Sequence, residues 1–225
     1  MSLWEYLGAW SSVTKWLWHL NWNSNDSSGN GNNWTDTSIS YVDGKLWQCA
    51  SFNGTTSKID VWNIPLNVSD ITIAFIIDWS TTWNRAVLFK DWYPSAWSRC
   101  IDLTCINSWW QWLYVSFFTT DSLCSCAYPT TLLPSWKVFC VITRDSSGIV
   151  EFYYNWVKQP KTQTSTNSWT LQNSSANVTL WYNSASIGYP NLNTTLDEVI
   201  IEGRVWTEAE AKKYYTYAKW QFWIL

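Results

Sequence analysis

Short apolar-rich runs alternate with polar turn clusters along almost the whole chain, and this rhythm most constrains the fold. The run ITIAFIIDW at 71–79 is rich in β-branched and aromatic residues, whereas NSNDSSGNGNNWT at 23–35 contains almost only turn formers. Turn signals recur at intervals of roughly 8–12 residues, which is typical of an antiparallel sandwich or barrel. The pattern therefore predicts an all-β chain.

The same pattern predicts the individual strands and one helix. The predicted strands lie at 15–22, 45–54, 57–64, 71–79, 85–90, 112–120, 136–145, 149–155, 157–160, 176–183 and 196–205. One helix is predicted over 207–219, because Thr207 and Glu210 have the spacing of a capping box. No linker composition and no internal repeat divides the chain, so we expect a single domain.

The charge content argues against several classes of partner. Only 14% of the 225 residues are charged, against about 25% in typical domains. The net charge is −3 with no basic block, so neither nucleic acid nor an anionic membrane is an expected partner. No apolar run approaches the roughly 18 residues that a membrane-spanning helix requires.

The cysteines and the histidine carry separate expectations. Four of the six cysteines, Cys100, Cys105, Cys124 and Cys126, fall within one segment and are candidates for disulfides in an oxidising compartment. Cys49 and Cys140 lie in apolar runs, where small buried thiols are the simpler interpretation. His19, the only histidine, is expected to pack or pair within a strand rather than to bind a metal.

The balance of tryptophan and glycine is abnormal for a turn-rich chain. There are 22 tryptophans and 8 glycines, whereas glycine normally makes up about 7% of residues. The predicted hairpin at 149–160 shows the problem, because its two turn residues are Asn155 and Trp156. The favoured two-residue turn needs positive φ at both positions, which glycine adopts freely and a bulky side chain resists.

Three segments resemble one family. GNGNNWT at 29–35, DGKLWQCASFNG at 43–54 and LDEVIIEGRVWTEAEAKKYY at 196–215 are similar to the signature segments of the concanavalin A-like, laminin-G-type jelly roll in its bacterial form. The resemblance implies an antiparallel jelly-roll β-sandwich over 13–219 with a short C-terminal helix. Residues 1–12 would be an N-terminal extension and 220–225 a tail.

The departures from this family are systematic, because tryptophan stands where the family has glycine. This holds at Trp16, Trp22, Trp34, Trp47, Trp62, Trp156 and Trp181, and by context we extend it to Trp4, Trp83, Trp109, Trp110, Trp112, Trp136, Trp169, Trp220 and Trp223. The codon UGA is read as glycine in some bacterial lineages and as tryptophan in others. We therefore interpret these tryptophans as misassigned glycines, and expect them at turns, exposed and with positive φ.

The remaining tryptophans, Trp10, Trp18, Trp79, Trp92, Trp97 and Trp206, have strand or apolar contexts and are taken as genuine. Aromatic rings that stack on the apolar faces of sugars are a common means of glycan recognition. The candidate ligand platform comprises Trp79, Trp92, Tyr93 and Trp97, with Arg85 and Asp91 as polar partners. The alternative is that these side chains serve core and loop packing.

Calcium is the one cofactor that the sequence suggests. Asp26, Asn30 and Asn32 offer oxygen atoms within one bent loop, which suits a hard cation. The family resemblance implies a structural calcium at such a loop, with Asp197 as an additional ligand. The alternative is an Asx-turn-rich loop that satisfies its own backbone.

The family includes sandwich glycosidases, which carry two or three carboxylates on one strand face. The nearest segment here is DEVIIE, but alternation predicts that Asp197 faces away from Glu198 and Glu202. We therefore expect a non-enzyme, namely a carbohydrate-recognition module of a secreted or cell-surface bacterial protein. The alternative is a structural or adhesive module of a larger surface protein, and a glycoside hydrolase ranks third.

The expected partner is accordingly a glycan or another cell-surface ligand. The module would act as a monomeric part of a larger protein, outside the cell or at its surface. The N-terminal residues lack the basic and long apolar regions of a secretion signal. Such a signal would therefore have to come from outside this chain.

The codon interpretation is tested by the gene itself. We expect the triplet TGA at the positions assigned to glycine, including Trp22 and Trp156, and TGG at Trp18 and Trp206. The nucleotide sequence decides this directly. Ordinary TGG codons at both groups of positions would remove the interpretation.

Overall fold

The chain folds into two antiparallel sheets that pack face to face, with one helix against the outside of one sheet. The structure is a computed structural model that describes residues 14–43, 48–61, 66–78, 85–90, 100–107, 111–119, 123–134, 136–171, 178–180 and 193–222. The predicted all-β sandwich with a short C-terminal helix is confirmed.

Within the described residues, the elements follow one another as sixteen strands and one helix. The strands are β1 (Thr14–Trp18), β2 (Trp34–Thr37), β3 (Ser40–Asp43), β4 (Gln48–Ser51), β5 (Lys58–Val61), β6 (Ile71–Asp78), β7 (Arg85–Lys90), β8 (Ile101–Asn107), β9 (Gln111–Phe118), β10 (Cys124–Pro129), β11 (Lys137–Arg144), β12 (Val150–Tyr154), β13 (Val157–Lys158), β14 (Lys161–Ser165), β15 (Val178–Leu180) and β16 (Thr195–Glu202). The helix α1 is Glu208–Phe222.

Each sheet contains eight strands. Sheet A has the order β13-β12-β11-β6-β16-β4-β3, and β1 also pairs with β16. Sheet B has the order β14-β10-β9-β8-β7-β15-β5-β2. Neighbours in both sheets are often far apart in sequence, as expected when connections cross between the two sheets of a sandwich.

The core lies between the sheets and follows from side-chain alternation. On β6, Ile71, Ile73, Phe75 and Ile77 point inward and are fully or almost fully buried. They meet inward-facing residues of sheet B, such as those of β8 and β9. Burial of one such side chain contributes about 1.5–3 kcal/mol, so this core is the main source of stability.

The outer face of sheet A is also buried, because α1 packs on it. Ile76 and Phe139 of the sheet form a second apolar cluster with Trp206, Ala211 and Tyr214. The predicted capping box is present, since the N–H of Thr207 donates to Glu210 Oε2 at 2.8 Å and the N–H of Glu210 donates to Thr207 Oγ1 at 3.2 Å.

The hairpin between β12 and β13 has the backbone expected of a two-residue turn built for glycine. Asn155 has a φ of 49° and Trp156 a φ of 69°, so both turn residues are left-handed. Trp22 also has a left-handed backbone, with a φ of 65°, and its side chain is 57% exposed. Only Trp22 meets the expectation for a misassigned glycine in full, because it is both exposed and left-handed. Trp156 has the left-handed backbone but is half-buried against the outer cluster of sheet A, with Lys212 Nζ 4.4 Å from its ring centroid. Trp136 and Trp169 are exposed without a positive φ.

Trp16 and Trp34 contradict that expectation, because both lie in strands and are buried. Their environments are nevertheless poor for indole. Among the described residues, neither indole N–H has a hydrogen-bond partner. The ring centroids of Trp34 and Trp18 are only 3.8 Å apart, below the roughly 4.5–7 Å of ordinary aromatic pairs.

Two tryptophans taken as genuine have satisfied N–H groups. Trp18 Nε1 donates to the carbonyl of Asn32 at 3.2 Å, and Trp206 Nε1 donates to Glu202 Oε2 at 2.7 Å. A buried indole normally finds such a partner. The other positions assigned to glycine fall outside the described residues or have undescribed side chains: Trp4, Trp47, Trp62, Trp83, Trp109, Trp110, Trp112, Trp181, Trp220 and Trp223. The codon interpretation stays a prediction.

The strain at Trp22 can be measured, because this side chain is largely in solvent. A β-carbon in the left-handed region costs about 1–2 kcal/mol, so W22G is expected to raise the free energy of unfolding by about 1 kcal/mol. W22A is the matched control, since it removes the indole but keeps the β-carbon. Urea unfolding should show W22G more stable than W22A, and equal stability of the two variants would contradict the account.

Candidate functional site

The buried carboxylates on the outer face of sheet A hold α1 in place. Glu198 Oε1 lies 2.7 Å from His19 Nδ1, and the hydroxyl of Tyr214 donates to Glu198 Oε2 at 2.8 Å. Glu202 accepts the indole N–H of Trp206 and pairs with Arg204 Nε at 2.7 Å. Both carboxylates are thus committed to joining β16 to the helix segment.

The prediction that Asp197 faces away from Glu198 and Glu202 is wrong. The ladder between β16 and β6 shifts register between Asp197 and Ile200, and Glu198 has a φ of 50°. Asp197 pairs with Ile76, whose side chain belongs to the outer cluster under α1. This bulge inserts one residue and so places Asp197 and Glu198 on the same face.

Burial and mutual repulsion shape the protonation of this cluster. The pKa of Asp197 is raised well above its ordinary value, chiefly by burial and then by the charge of Glu198. Burial alone would lower the pKa of His19, but the charge and the hydrogen bond of Glu198 outweigh it and raise that pKa. His19 is therefore the charge that compensates Glu198, as the expectation of a paired histidine implied.

The outer face of sheet B has a different character. Ile101, Leu103, Leu113, Val115, Phe117 and Ala127 point into the core. The residues between them point outward and form what we call the tyrosine patch: Asp102, Thr104, Tyr114, Ser116 and Tyr128. These five residues come from three neighbouring strands, β8, β9 and β10. Among the described residues, no helix lies on this face.

The patch combines aromatic rings with oxygen groups. Thr104 lies opposite Tyr114 and Asp102 opposite Ser116 across the β8–β9 ladder. The rings of Tyr114 and Tyr128 stack with centroids 6.3 Å apart and planes 27° apart. The two hydroxyl residues are buried at the base, while the tyrosines and the aspartate are partly exposed. The accessible part of the patch is therefore the two tyrosines and the exposed part of Asp102, whose Oδ1 is buried.

The patch is not the platform that the sequence predicted. Trp79, Asp91, Trp92, Tyr93 and Trp97 lie outside the described residues. Arg85 is the first residue of β7, paired with Cys105 of β8, and its side chain is not described. Sequence reasoning missed Tyr114 and Tyr128, although the alternation in LYVSF and CAYP was the signal that could have found them.

The loop between β1 and β2 is organised around Asp26. Its Oδ1 accepts the N–H groups of Leu17 and Ser28, and its Oδ2 accepts the N–H of Asn32 and the hydroxyl of Ser28, at 2.8 to 3.3 Å. Hydrogen-bond donors thus converge on a carboxylate, which does not fit a cation site as the loop stands.

The other predicted calcium ligands are also engaged with protein groups. The amide of Asn30 donates to Ser28 Oγ at 3.0 Å, and Asp197 Oδ1 accepts the N–H of Glu198 at 3.0 Å. The carboxylate of Asp197 therefore already accepts a hydrogen bond on the outer face of sheet A, under α1. The calcium site stays a prediction.

The predicted disulfide segment contains one disulfide among the described side chains, between Cys124 and Cys126. Cys100, Cys49 and Cys140 are buried thiols. The side chain of Cys105 is not described. The bond lies on β10, in the outward-facing row that also contains Tyr128.

The pairing of His19 with Glu198 predicts a pH dependence of stability. Because the folded-state pKa of His19 is raised above 6.5, its contribution is complete below about pH 6.5 and is lost as the pH rises through the folded value. The free energy of unfolding should therefore fall more steeply above pH 6.5 in the parent than in H19Q. The free energy of unfolding is measured by urea titration at several pH values. The same pH dependence in the parent and in H19Q would contradict the pairing.

Asp197 also has a raised pKa, so its contribution declines as the pH rises above 3.8. Asp197 is present in both the parent and H19Q, so its contribution largely cancels when their pH profiles are compared.

No helix among the described residues is both long and apolar enough to cross a membrane. No family model and no curated protein sequence matches the chain.

Solved structures with a similar fold do exist. Domain 4 of AbnA, a GH43 extracellular arabinanase from Geobacillus stearothermophilus solved with arabinotriose, has a TM-score of 0.65 at 18% identity, covering 88% of this chain and 96% of that domain. The binding domain of Paraclostridial Mosquitocidal Protein 1 has a TM-score of 0.71 at 16% identity, covering 91% of this chain.

The binding domain of Botulinum Neurotoxin DC, solved in complex with SialylT, has a TM-score of 0.70 at 12% identity, covering 92% of this chain. This chain spans 52% of each of the two toxin binding domains. At these identities the likeness establishes the fold, a β-sandwich of the kind found in these binding domains.

Proposed function

We propose that the chain is a non-catalytic carbohydrate-recognition module that binds its ligand on the tyrosine patch. The observation that carries this proposal is the stacked pair Tyr114 and Tyr128 beside Asp102, on the sheet face that α1 leaves uncovered. An aromatic and acidic surface of this kind favours glycan binding. A flat face without such groups would have favoured a structural role.

The chemistry of the patch suits a saccharide. A sugar has apolar C–H faces, which pack on aromatic rings, and hydroxyl groups around its edge, which need donors and acceptors. Two rings with centroids 6.3 Å apart offer adjacent stacking surfaces, and Asp102 lies on the same face of the sheet. Because the surface is the face of a sheet, we expect dissociation constants in the micromolar to millimolar range, roughly −8 to −4 kcal/mol.

The structural neighbours support this ligand class. The arabinanase domain was solved with arabinotriose, and the neurotoxin binding domain was solved with SialylT. These ligands belong to those proteins. They indicate that the sandwich architecture accommodates saccharides, both from a polysaccharide-degrading enzyme and from a toxin.

We also propose that the module acts outside the cell or at its surface, as part of a larger bacterial protein of laminin-G-like type. The Cys124–Cys126 disulfide supports an oxidising compartment. In this proposal the organism places glycine at Trp22 and Trp156, which the left-handed backbone at both positions supports.

Protein recognition is the second candidate, because a related binding domain of Botulinum Neurotoxin DC was solved with rat synaptotagmin II. A module that binds a surface protein could use the same exposed rings. Hydrolysis has less support, since Glu198 and Glu202 are buried under α1 in contacts with His19, Tyr214 and Arg204.

The proposal is tested by removing the rings and the hydroxyl groups separately. Y114A and Y128A are each expected to weaken saccharide binding about two- to tenfold, the contribution of one aromatic contact of roughly 0.5–1.5 kcal/mol. Y114F and Y128F retain the stacking surface and should lose less. Binding is measured on an array of neutral and sialylated oligosaccharides and then by titration with the best ligand.

W136G is the matched control, because it removes an exposed aromatic ring from outside the patch. It should leave binding unchanged. The proposal fails if the patch variants bind as the parent does, or if no saccharide binds while a protein ligand does. Repeating the titration with and without calcium tests the predicted site at Asp26.

A further inference from the structure

The Cys124–Cys126 disulfide lies on the same strand and the same face as half of the tyrosine patch. On β10, Ser125 and Ala127 are fully buried on the inner side, and Cys124, Cys126 and Tyr128 alternate with them on the outer side. The two sulfurs therefore continue the outward row that ends in the ring of Tyr128. Any change in this bond acts on the strand that positions that ring.

The bond shortens β10 locally. The Cα atoms of the two cysteines are 5.8 Å apart, whereas two steps along an extended strand rise by about 6.4–6.8 Å. A covalent link between these positions thus holds the strand contracted by somewhat less than about 1 Å. Because the closed loop spans only two residues, the link restricts the unfolded chain little, and global stabilisation does not explain it.

The contracted segment is fixed from the core side. Ser125 Oγ accepts hydrogen bonds from Arg144 Nε at 3.3 Å and from the N–H of Asn167 at 3.1 Å, and it donates to the carbonyl of Asn167 at 3.0 Å. Arg144 is fully buried, so this anchor does not move easily. Relaxation of the strand must then displace residues on either side of Ser125.

The ladder between β10 and the edge strand β14 is irregular on the side toward Tyr128. The β10–β14 ladder shifts register between Cys126 and Ala127, where β14 contains the additional residue Thr164. On the other side of the shift, Ser165 lies opposite Cys126 in the ladder, and its hydroxyl donates to the carbonyl of Cys124 at 2.9 Å. Cys124 is therefore held from the edge and Ser125 from the core. Cys126 lies at the register shift, where the hydroxyl of Thr164 donates to its carbonyl at 3.2 Å. Extension of the strand would shift the Cys126–Tyr128 end relative to Tyr114.

The two cysteines of the bond differ in exposure. Cys124 is partly exposed, whereas Cys126 is 5% exposed. The sulfur of Cys124 lies 3.4 Å from Ser165 Oγ. An exposed disulfide in a constrained geometry is more readily reduced than a buried one. Cys49, Cys100 and Cys140 are buried, so selective chemistry at this pair is expected.

We propose that Cys124–Cys126 is a reducible disulfide that controls ligand binding by setting the position of Tyr128 in the patch, an inference that rests on the function proposed above. The reductant is a dithiol. Its thiolate attacks Cys124 Sγ, the S–S bond breaks, and the Cys126 thiolate leaves and takes a proton. The second thiol of the reductant then attacks the mixed disulfide and releases the Cys124 thiolate, which is protonated. Two electrons and two protons pass to the protein, and the reductant becomes a cyclic disulfide.

The test combines mapping of the reduced cysteines with binding. Graded dithiothreitol followed by iodoacetamide and peptide mass spectrometry should show Cys124 and Cys126 alkylated before Cys49, Cys100 and Cys140. Titration with the oligosaccharide found on the array should then give roughly two- to tenfold weaker binding by the reduced protein, the share of one displaced ring. The C124S/C126S double variant should bind as weakly with or without reductant, and it is the matched control.

Two results would overturn the proposal. One is alkylation of Cys124 and Cys126 no earlier than of the buried cysteines. The other is equal saccharide affinity of the oxidised and reduced protein. If neither form binds any saccharide, the proposed function fails. The link between the disulfide and the ring of Tyr128 is then tested by nuclear magnetic resonance. Reduction is expected to shift the ring signals of Tyr128, and unchanged signals would overturn the proposal.

Discussion

The alternation of side chains across paired strands is the constraint on which the rest of this molecule depends. Where both faces of a sheet are covered, strands must be apolar on both sides, as on β6, whose first seven residues are all buried. The strands of sheet B instead alternate apolar residues that face the core with polar residues that face outward, as at Ile101, Asp102, Leu103 and Thr104 of β8. The helix α1 covers the outer face of sheet A, whereas no helix among the described residues lies on the outward row of sheet B.

The bulge at Glu198 is a local exception with a structural purpose. It turns a second acidic side chain toward α1, where burial of a charge would be costly without compensation. His19 and the hydroxyl of Tyr214 provide that compensation and tie β1, β16 and the helix together. The acidic segment that most resembled a catalytic strand therefore serves to attach the helix, and the tyrosine patch lies on the outer face of the other sheet.

Sequence reasoning could predict what depends on local patterns. Apolar periodicity located β6, β11 and β12, and the capping box located α1, because these signals come from neighbouring residues. The strand β14, with the polar sequence KTQTS, was missed because it is an edge strand without an apolar face. The bulge at Glu198 depends on pairing with a distant strand, so alternation gave the wrong face for Asp197. Tyr114 and Tyr128 were missed because their proximity arises only when β9 and β10 pair, and the abundance of tryptophan drew attention elsewhere.

We propose that ligand binds to the outer face of sheet B, because α1 covers the outer face of sheet A. Nuclear magnetic resonance of isotope-labelled protein, titrated with the best saccharide, tests this claim most directly. The account predicts that the largest shifts map to Asp102, Thr104, Tyr114, Ser116 and Tyr128, with the signals of α1 unchanged. Shifts concentrated on α1 or β16, with the tyrosine patch unaffected, would contradict it.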